Sequence, residues 1–377
     1  MPRTNDAWDV LVVGGGPAGL TAAITSRQTG LSVAVAGATD SASHCGETLS
    51  ASCLQLLTRL GIGDEFRCEH HLPLQGVRSA WGSNEVDEHS SLFNPYGESV
   101  ILDRMRLGLR MERLFRNEGG VVIEGRIQDV RVERGEHLVT LRTRQDCQQI
   151  RAKALIDATG IAARVARRLG AQRIIQTRQV ALGWCIEAPP GTSDLPTTAI
   201  IEGVESGWLF AVPVQRSRAA VWFVCDPVLA TQGDGLKRAL RESREVSRWL
   251  NCFDLVPTGE PAVRNASVGR LDRVAGDGWV AVGDAALSLD PLSSSGITLA
   301  ILSGMHGARA IAASVAGNDD RLAEYVQTLQ DAAKHHAKLR QQFYRAERRW
   351  PNADFWMNRQ GLARSTSEDR HDSRRWY

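Results

Sequence analysis

An apolar run, Val10 to Val13, leads directly into Gly14-x-Gly16-x-x-Gly19, and after one small-residue segment a second apolar run follows, Leu31 to Ala36. That order reads as strand, glycine turn, helix and strand, at the length of one dinucleotide-binding βαβ unit. The three glycines differ in what they permit. Gly14 allows the tight turn, Gly16 lets a pyrophosphate approach the backbone, and Gly19 lets the helix pack on the strand. Pro17 and Ala18 open that helix, whose N-terminus offers unpaired N–H groups and partial positive charge to phosphate. Gly14, Gly16, Pro17, Ala18 and Gly19 are therefore the first expected cofactor contacts.

Two later segments repeat the strand-to-glycine pattern. Leu155–Gly160 reads LIDATG, and the run Trp279–Val282 ends in Gly283-Asp284 before Asp290-Pro291 leads through serines to Gly296-Ile297 and a new helix. This resembles the second FAD fingerprint of the glutathione-reductase-type flavoproteins, most closely their aromatic-hydroxylase branch. The resemblance implies FAD, with Asp157, Gly160, Gly283, Asp284, Gly296 and Ile297 among its contacts. Asp284 would bind a ribityl hydroxyl, and the helix from Gly296 would point its N-terminus at the flavin pyrimidine ring, favouring the anionic reduced form. The implied fold is α/β: a glutathione-reductase/p-hydroxybenzoate-hydroxylase-like FAD-binding domain built from discontinuous segments, with an antiparallel β-sheet substrate domain and C-terminal helices. One detail departs from the pattern. The acid that usually closes the second strand and binds the adenosine ribose falls on Gly37, with Ala38 next and Asp40 the first acid. Either the ribose is held otherwise or Asp40 reaches back, and a glutamate at position 37 is predicted to be tolerated or to tighten binding.

The segments 1–75, 100–170 and 271–315 carry the nucleotide motifs, and 76–99 with 171–270 are richer in strand-like runs such as Val180–Ile186, Gly207–Val214 and Ala219–Cys225. Such runs suggest an antiparallel substrate sheet. The remaining 316–377 reads as a helical, aromatic tail, with Phe343, Tyr344, Trp350, Phe355 and Trp356 able to dock the helix on the body or to line a channel or partner surface. The end, 365–377, is polar and expected to be disordered. A net charge of +2 over 377 residues gives no reason to expect nucleic acid, and no uninterrupted apolar segment of membrane-spanning length stands out. The seven cysteines form no C-x-x-C pair, which argues against a disulfide framework or zinc site and for a reducing cytoplasm.

Further motifs point to one branch. His44–Gly61 (HCGETLSASCLQLLTRLG) resembles the Gly-Glu-[Ser/Thr]-Leu segment of flavin-dependent halogenases and their non-halogenating relatives, and SAWGSNEV, FNPYG, Leu102-Asp103-Arg104 and the R-W-P and F-W pairs of the tail follow. Together they resemble the LodB-type flavoproteins, accessory enzymes in making protein-derived tryptophylquinone cofactors and similar in fold to tryptophan halogenases. Tryptophan halogenases carry a Trp-x-Trp-x-Ile-Pro strand and a lysine. Here that strand is Trp208-Leu209-Phe210-Ala211-Val212-Pro213, and no lysine precedes Lys153. Halogenation is therefore not expected. The resemblance implies instead an FAD-dependent monooxygenase in which reduced flavin and O₂ deliver an electrophilic hydroxyl to an electron-rich ring, a tryptophan within a peptide or protein being one such ring. Electrons would come from NAD(P)H bound transiently or from a separate flavin reductase, since no second nucleotide fingerprint is visible.

Glu47, in Gly46-Glu47-Thr48, is the candidate catalytic polar group, with a plain loop acid as the other reading. Arg104 either contacts cofactor phosphate or ribityl groups or forms an ion pair. Cys45 could face the flavin or be structural, and His44 has only adjacency to recommend it as a covalent attachment. Arg164 reads as a solvated helix residue, and His70-His71 and His335-His336 as surface or structural. The rivals are a geranylgeranyl-reductase-type enzyme, whose Cys-Gly-Glu segment resembles Cys45-Gly46-Glu47, a relative of the flavin-dependent tryptophan halogenases, and an FAD-bearing chaperone.

Overall fold

The computed structural model describes residues 7–39, 45–69, 71–91, 97–143 and 146–361. Asp40, His44, His70, the Phe93–Tyr96 stretch and the terminal 365–377 lie outside the described residues. The chain divides into two compact units, 1–75 with 91–176 and 267–335, and 76–90 with 177–266 and 336–377. The segment expected to form a separate tail from residue 316 is thus divided at 335, part in each unit.

Continuous apolar runs explain the centre of the first unit. Val10, Leu11 and Val12 are fully buried, as expected of strands covered on both faces in a parallel sheet. Five parallel strands form it: β1 (Trp8–Gly15), β2 (Val33–Thr39), β3 (Val121–Ile123), β4 (Cys147–Asp157) and β5 (Trp279–Ala281), in the order β3-β2-β1-β4-β5. The N-terminal half of β4 continues into an antiparallel extension through Glu136–Arg142 and Arg126–Glu133. Register brings the carboxyl ends together, because Val13 is opposite both Asp157 and Ala36, and Asp157 is opposite Ala281. The glycine turn, the Thr159-Gly160 turn and the Gly283-Asp284 turn therefore emerge along one edge, where open α/β sheets bind ligands.

Two helices cover this sheet from that edge, α1 (Pro17–Gln28) and α2 (Gly296–Val315). They pack closely through small residues: a Cβ at Gly304 would lie 2.6 Å from the Ala18 carbonyl. Helix α2 is long and apolar enough by composition to cross a membrane. Its Ile301, Ala308 and Ile311 are fully buried in the first unit's core, so its hydrophobicity is accounted for by packing.

The second unit holds a seven-stranded sheet in the order Ala262–Asn265, Val180–Glu187, Arg218–Cys225, Gly207–Gln215, Thr198–Val204, Gly76–Ala80, Asp87–Ser90. Its pairings are antiparallel except that Thr198–Val204 runs parallel to Gly76–Ala80. The purely antiparallel expectation fails there because Gly76–Ala80 arrives from a distant part of the chain, and no hairpin dictates its direction. One face buries Leu182, Leu209, Val221 and Phe223 with Leu236, Val246 and Trp249 from the helices Gly235–Glu242 and Glu245–Cys252. Alternation along the strand puts Trp208 on the opposite face, where its indole N–H donates to the Tyr344 hydroxyl at 3.1 Å. Tyr344, Phe355 and Trp356 are buried there, while Phe343 is exposed. Of the two readings of the aromatic segment, docking is the one its geometry supports.

Candidate functional site

The glycine turn divides its labour. Gly14 has φ +118, and a Cβ on it would fall on the Ala158 carbonyl. A Cβ on Gly19 would fall on the Gly14 carbonyl. These two glycines are required by the fold of the turn itself. Gly16 is different: it has an ordinary φ of −78, and a Cβ there would meet nothing within 4 Å. The backbone at Gly16 thus faces open space at the start of α1, whose N-terminus no side chain caps. The same holds at α2, where Ser295 makes no side-chain cap bond and Gly296 faces open space, as does Gly160. Uncapped N–H groups beside space that a Cβ would fill fit a phosphate-bearing dinucleotide.

Position 37 corrects an expectation. Gly37 has φ +138, and a Cβ on it would lie 3.4 Å from the Gly14 Cα. A side chain is strained in that conformation whatever its chemistry. Gly37→Glu should therefore lower stability by roughly 1–3 kcal/mol, read as a lower urea midpoint. A tighter FAD complex with unchanged stability would contradict the geometry.

A charged cluster occupies the same unit. Arg104 opens the helix Arg104–Asn117, whose cap is the Asp103 carboxylate accepting from the Arg106 amide at 3.1 Å. The Arg104 guanidinium donates through Nη1 to both oxygens of Glu47, at 2.7 and 2.9 Å. Glu47 is held by its backbone as well, its carbonyl accepting from the Leu102 amide at 2.8 Å. Asp284 keeps an exposed surface, although the protein packed around it weakens its solvation. That desolvation pushes its carboxyl above the ordinary carboxylate range; the Arg173 and Arg104 guanidiniums oppose the rise and the Glu47 charge adds to it. Glu47, Arg104 and Asp284, far apart in sequence, thus share one electrostatic environment.

Other expected contacts stand behind the cradle. Asp157 is fully buried. Its Oδ1 accepts from the Thr159 amide and hydroxyl at 2.9 and 2.7 Å, and its Oδ2 from the Ala166 amide at 2.7 Å. With both oxygens engaged internally it braces the Thr159-Gly160 turn, which corrects its assignment as a cofactor contact. Gly283 donates its amide to the Ser303 hydroxyl at 2.8 Å, and a Cβ on it would lie 2.6 Å from the Ala18 Cβ. Pro17, Ala18, Gly283 and Ile297 are buried. Arg164 is exposed, as read from the sequence. His71 is structural, stacked on Phe66 at 4.2 Å. Cys45 is disulfide-bonded, so it presents no free thiol, contrary to the expectation of unpaired cysteines.

Sequence reasoning missed Arg173. Its Nη1 donates to the Asp284 and Ala285 carbonyls at 2.8 and 3.0 Å, yet no motif surrounds it.

A family model described as tryptophan halogenase matches residues 70–372. The chain is 27% identical over 368 residues, 95% of its length and 98% of the relative's, to LodB of Marinomonas mediterranea, described as an FAD-dependent oxidoreductase. It superimposes on the myxobacterial chondrochloren halogenase CndH with a TM-score of 0.84 at 23% identity, covering 97% of this chain and 88% of that one. It also superimposes on QhpG, a peptidyl tryptophan dihydroxylase essential for tryptophylquinone cofactor biogenesis, with a TM-score of 0.75 at 23% identity, covering 94% of this chain and 79% of that one. These likenesses give the fold expected from the three nucleotide motifs.

Proposed function

The chain belongs to the tryptophan halogenase family of flavin-dependent oxidoreductases, and from that membership we propose that it is an FAD-dependent monooxygenase that hydroxylates an aromatic ring, with a tryptophan held in a peptide or protein as the preferred acceptor. The family implies FAD, and the open backbone at Gly16, the uncapped starts of α1 and α2 and the accessible Asp284 fit it. Bound FAD, once reduced, supplies the electrons that activate O₂. The chain's own residues bind and orient. The first turns of α1 and α2 present N–H groups and positive dipole ends to anionic parts of the cofactor. Asp284 would accept a hydrogen bond from the ribityl chain. Glu47 fixes the Arg104 guanidinium through both of its oxygens, so it positions a cation near Asp284 and orients the ring or the oxidant beside it.

The observation that carries the choice of hydroxylation over halogenation is the lysine distribution around this site. The first lysine is Lys153, and its ammonium is held by Asp9 at 2.7 Å. Asp9 lies near the amino end of β1, and the register that pairs Trp8 with Ala152 and Val13 with Asp157 sets Lys153 level with it, four residues before the edge where the glycine turns emerge. The likeness in fold to a peptidyl tryptophan dihydroxylase supports a peptide- or protein-borne ring. The partner would then be a tryptophan-containing chain, with NAD(P)H or a separate flavin reductase as electron source.

The test supplies reduced FAD-loaded protein with isotopically labelled O₂ and tryptophan peptides. Label should enter the peptide one oxygen atom at a time, and free tryptophan with chloride or bromide should give no halotryptophan. Glu47→Gln should lower turnover on the order of 10²-fold with FAD still bound. Halotryptophan would move the reading to a halogenase, and an unlabelled peptide alongside a reduced lipid alkene would move it to a reductase.

A further inference from the structure

The turn that carries Asp284 is short and poorly self-sufficient. Gly283–Ala285 forms a single 3₁₀ turn closed by one bond, from the Ala286 amide to the Gly283 carbonyl at 3.0 Å. The Asp284 and Ala285 carbonyls receive no bond within that turn and need a donor from elsewhere. Arg173 supplies it, at 2.8 and 3.0 Å. The same guanidinium donates to the Ser288 hydroxyl at 2.5 Å and to the Gly269 carbonyl at 3.4 Å, so one rigid fork spans the turn and the strand beyond it. Its own strand, Arg173–Thr177, belongs to the three-stranded sheet with Val268–Leu271 and Leu287–Ser288. The Leu271 amide adds a bond to the Ala286 carbonyl at 3.0 Å.

We propose that Arg173 is the positioning residue that presents Asp284 to the cofactor, by clamping the backbone of the turn that carries it. The proposal rests on the FAD reading of the site and deepens it. Two effects follow from one side chain. The clamp fixes where the carboxylate stands, and the guanidinium is the foremost charge opposing the desolvation that raises the Asp284 carboxyl. The charged groups facing Asp284 are Arg173, Arg104 and Glu47. Removing Arg173 leaves Arg104 alone against burial and Glu47. The carboxyl must then rise further, and the hydrogen bond that an ionised Asp284 accepts from a ribityl hydroxyl must be lost at a higher pH.

FAD affinity of the full-length apo-protein, measured by flavin fluorescence across pH, tests this without any turnover. In the unaltered chain affinity should fall as pH drops through the Asp284 titration. In Arg173→Gln it should be about tenfold weaker at neutral pH, and its midpoint should move to higher pH. Arg173→Lys keeps the charge and loses the fork, so its affinity should fall with little movement of the midpoint. In an Asp284→Asn background, Arg173→Gln should move no midpoint. A role confined to structural support would weaken binding equally at every pH, and that result in both variants overturns the proposal, as does unaltered binding by Arg173→Gln. If Asp284→Asn binds FAD like the unaltered chain at every pH, Asp284 is not a contact, and that part of the cofactor reading fails together with the proposal.

Discussion

Gly16→Val is expected to give a folded protein that no longer retains FAD. The two consequences separate because of where the Cβ goes. At Gly16 the backbone has a φ of −78, which any residue adopts, and the added atom meets nothing of the protein within 4 Å. A valine therefore projects into the space in front of the α1 N-terminus, where the pyrophosphate would approach the free amides. Losing two charge-assisted hydrogen bonds there, at about 1.5–3 kcal/mol each, weakens binding roughly a thousandfold. The purified variant should be colourless, with the urea midpoint of the unaltered apo-protein. A yellow variant with a full complement of FAD would show that the cofactor does not use this turn.

The glycine turn is legible in the sequence because its physics is local: three glycines, a strand before and a helix after fix the local geometry. Asp284 is legible for the same reason, as the first acid beyond an apolar strand. What surrounds each residue is not. Asp157 has the chemistry of a ligand-binding acid, but whether its oxygens turn outward depends on the Thr159 hydroxyl and the Ala166 amide, and nothing in an Asp-Ala-Thr-Gly string says which. Gly37 looks in the sequence like a missing glutamate, whereas its φ of +138 makes it a position where a side chain does not fit. Arg173 is 111 residues from the carbonyl it holds, so only the folded sheet could bring it to notice. The parallel pairing of Gly76–Ala80 with Thr198–Val204 is hidden for the same reason. Local backbone requirements are written in the sequence, and the partners of a polar side chain are written in the topology.

Trp356→Ala is expected to be among the most damaging single changes in the second unit. The Trp356 side chain is fully buried, with ring centroids 5.3 Å from Trp81, 5.9 Å from Tyr344 and 5.1 Å from Phe355. Its indole N–H donates to the Val204 carbonyl at 3.0 Å, at the end of the Thr198–Val204 strand. Truncation leaves a cavity that three large rings cannot collapse to fill, for a loss of about 3–5 kcal/mol. Trp356→Phe divides that loss into its parts. It keeps a ring in the cluster but removes the indole hydrogen bond to the Val204 carbonyl, which by itself costs about 0.5–1.5 kcal/mol. Hydrogen exchange should read both effects directly, as faster exchange in Thr198–Val204 and Gly207–Gln215 for the alanine variant and a smaller change for phenylalanine. Unaltered protection in the alanine variant would mean that the aromatic segment does not support the sheet, and the burial of Tyr344 and Phe355 beside it would then need a different account. Because the residues proposed to hold FAD all belong to the first unit, FAD affinity supplies a second, separate readout: a stability loss confined to the second unit's strands identifies the tail as part of that unit's core.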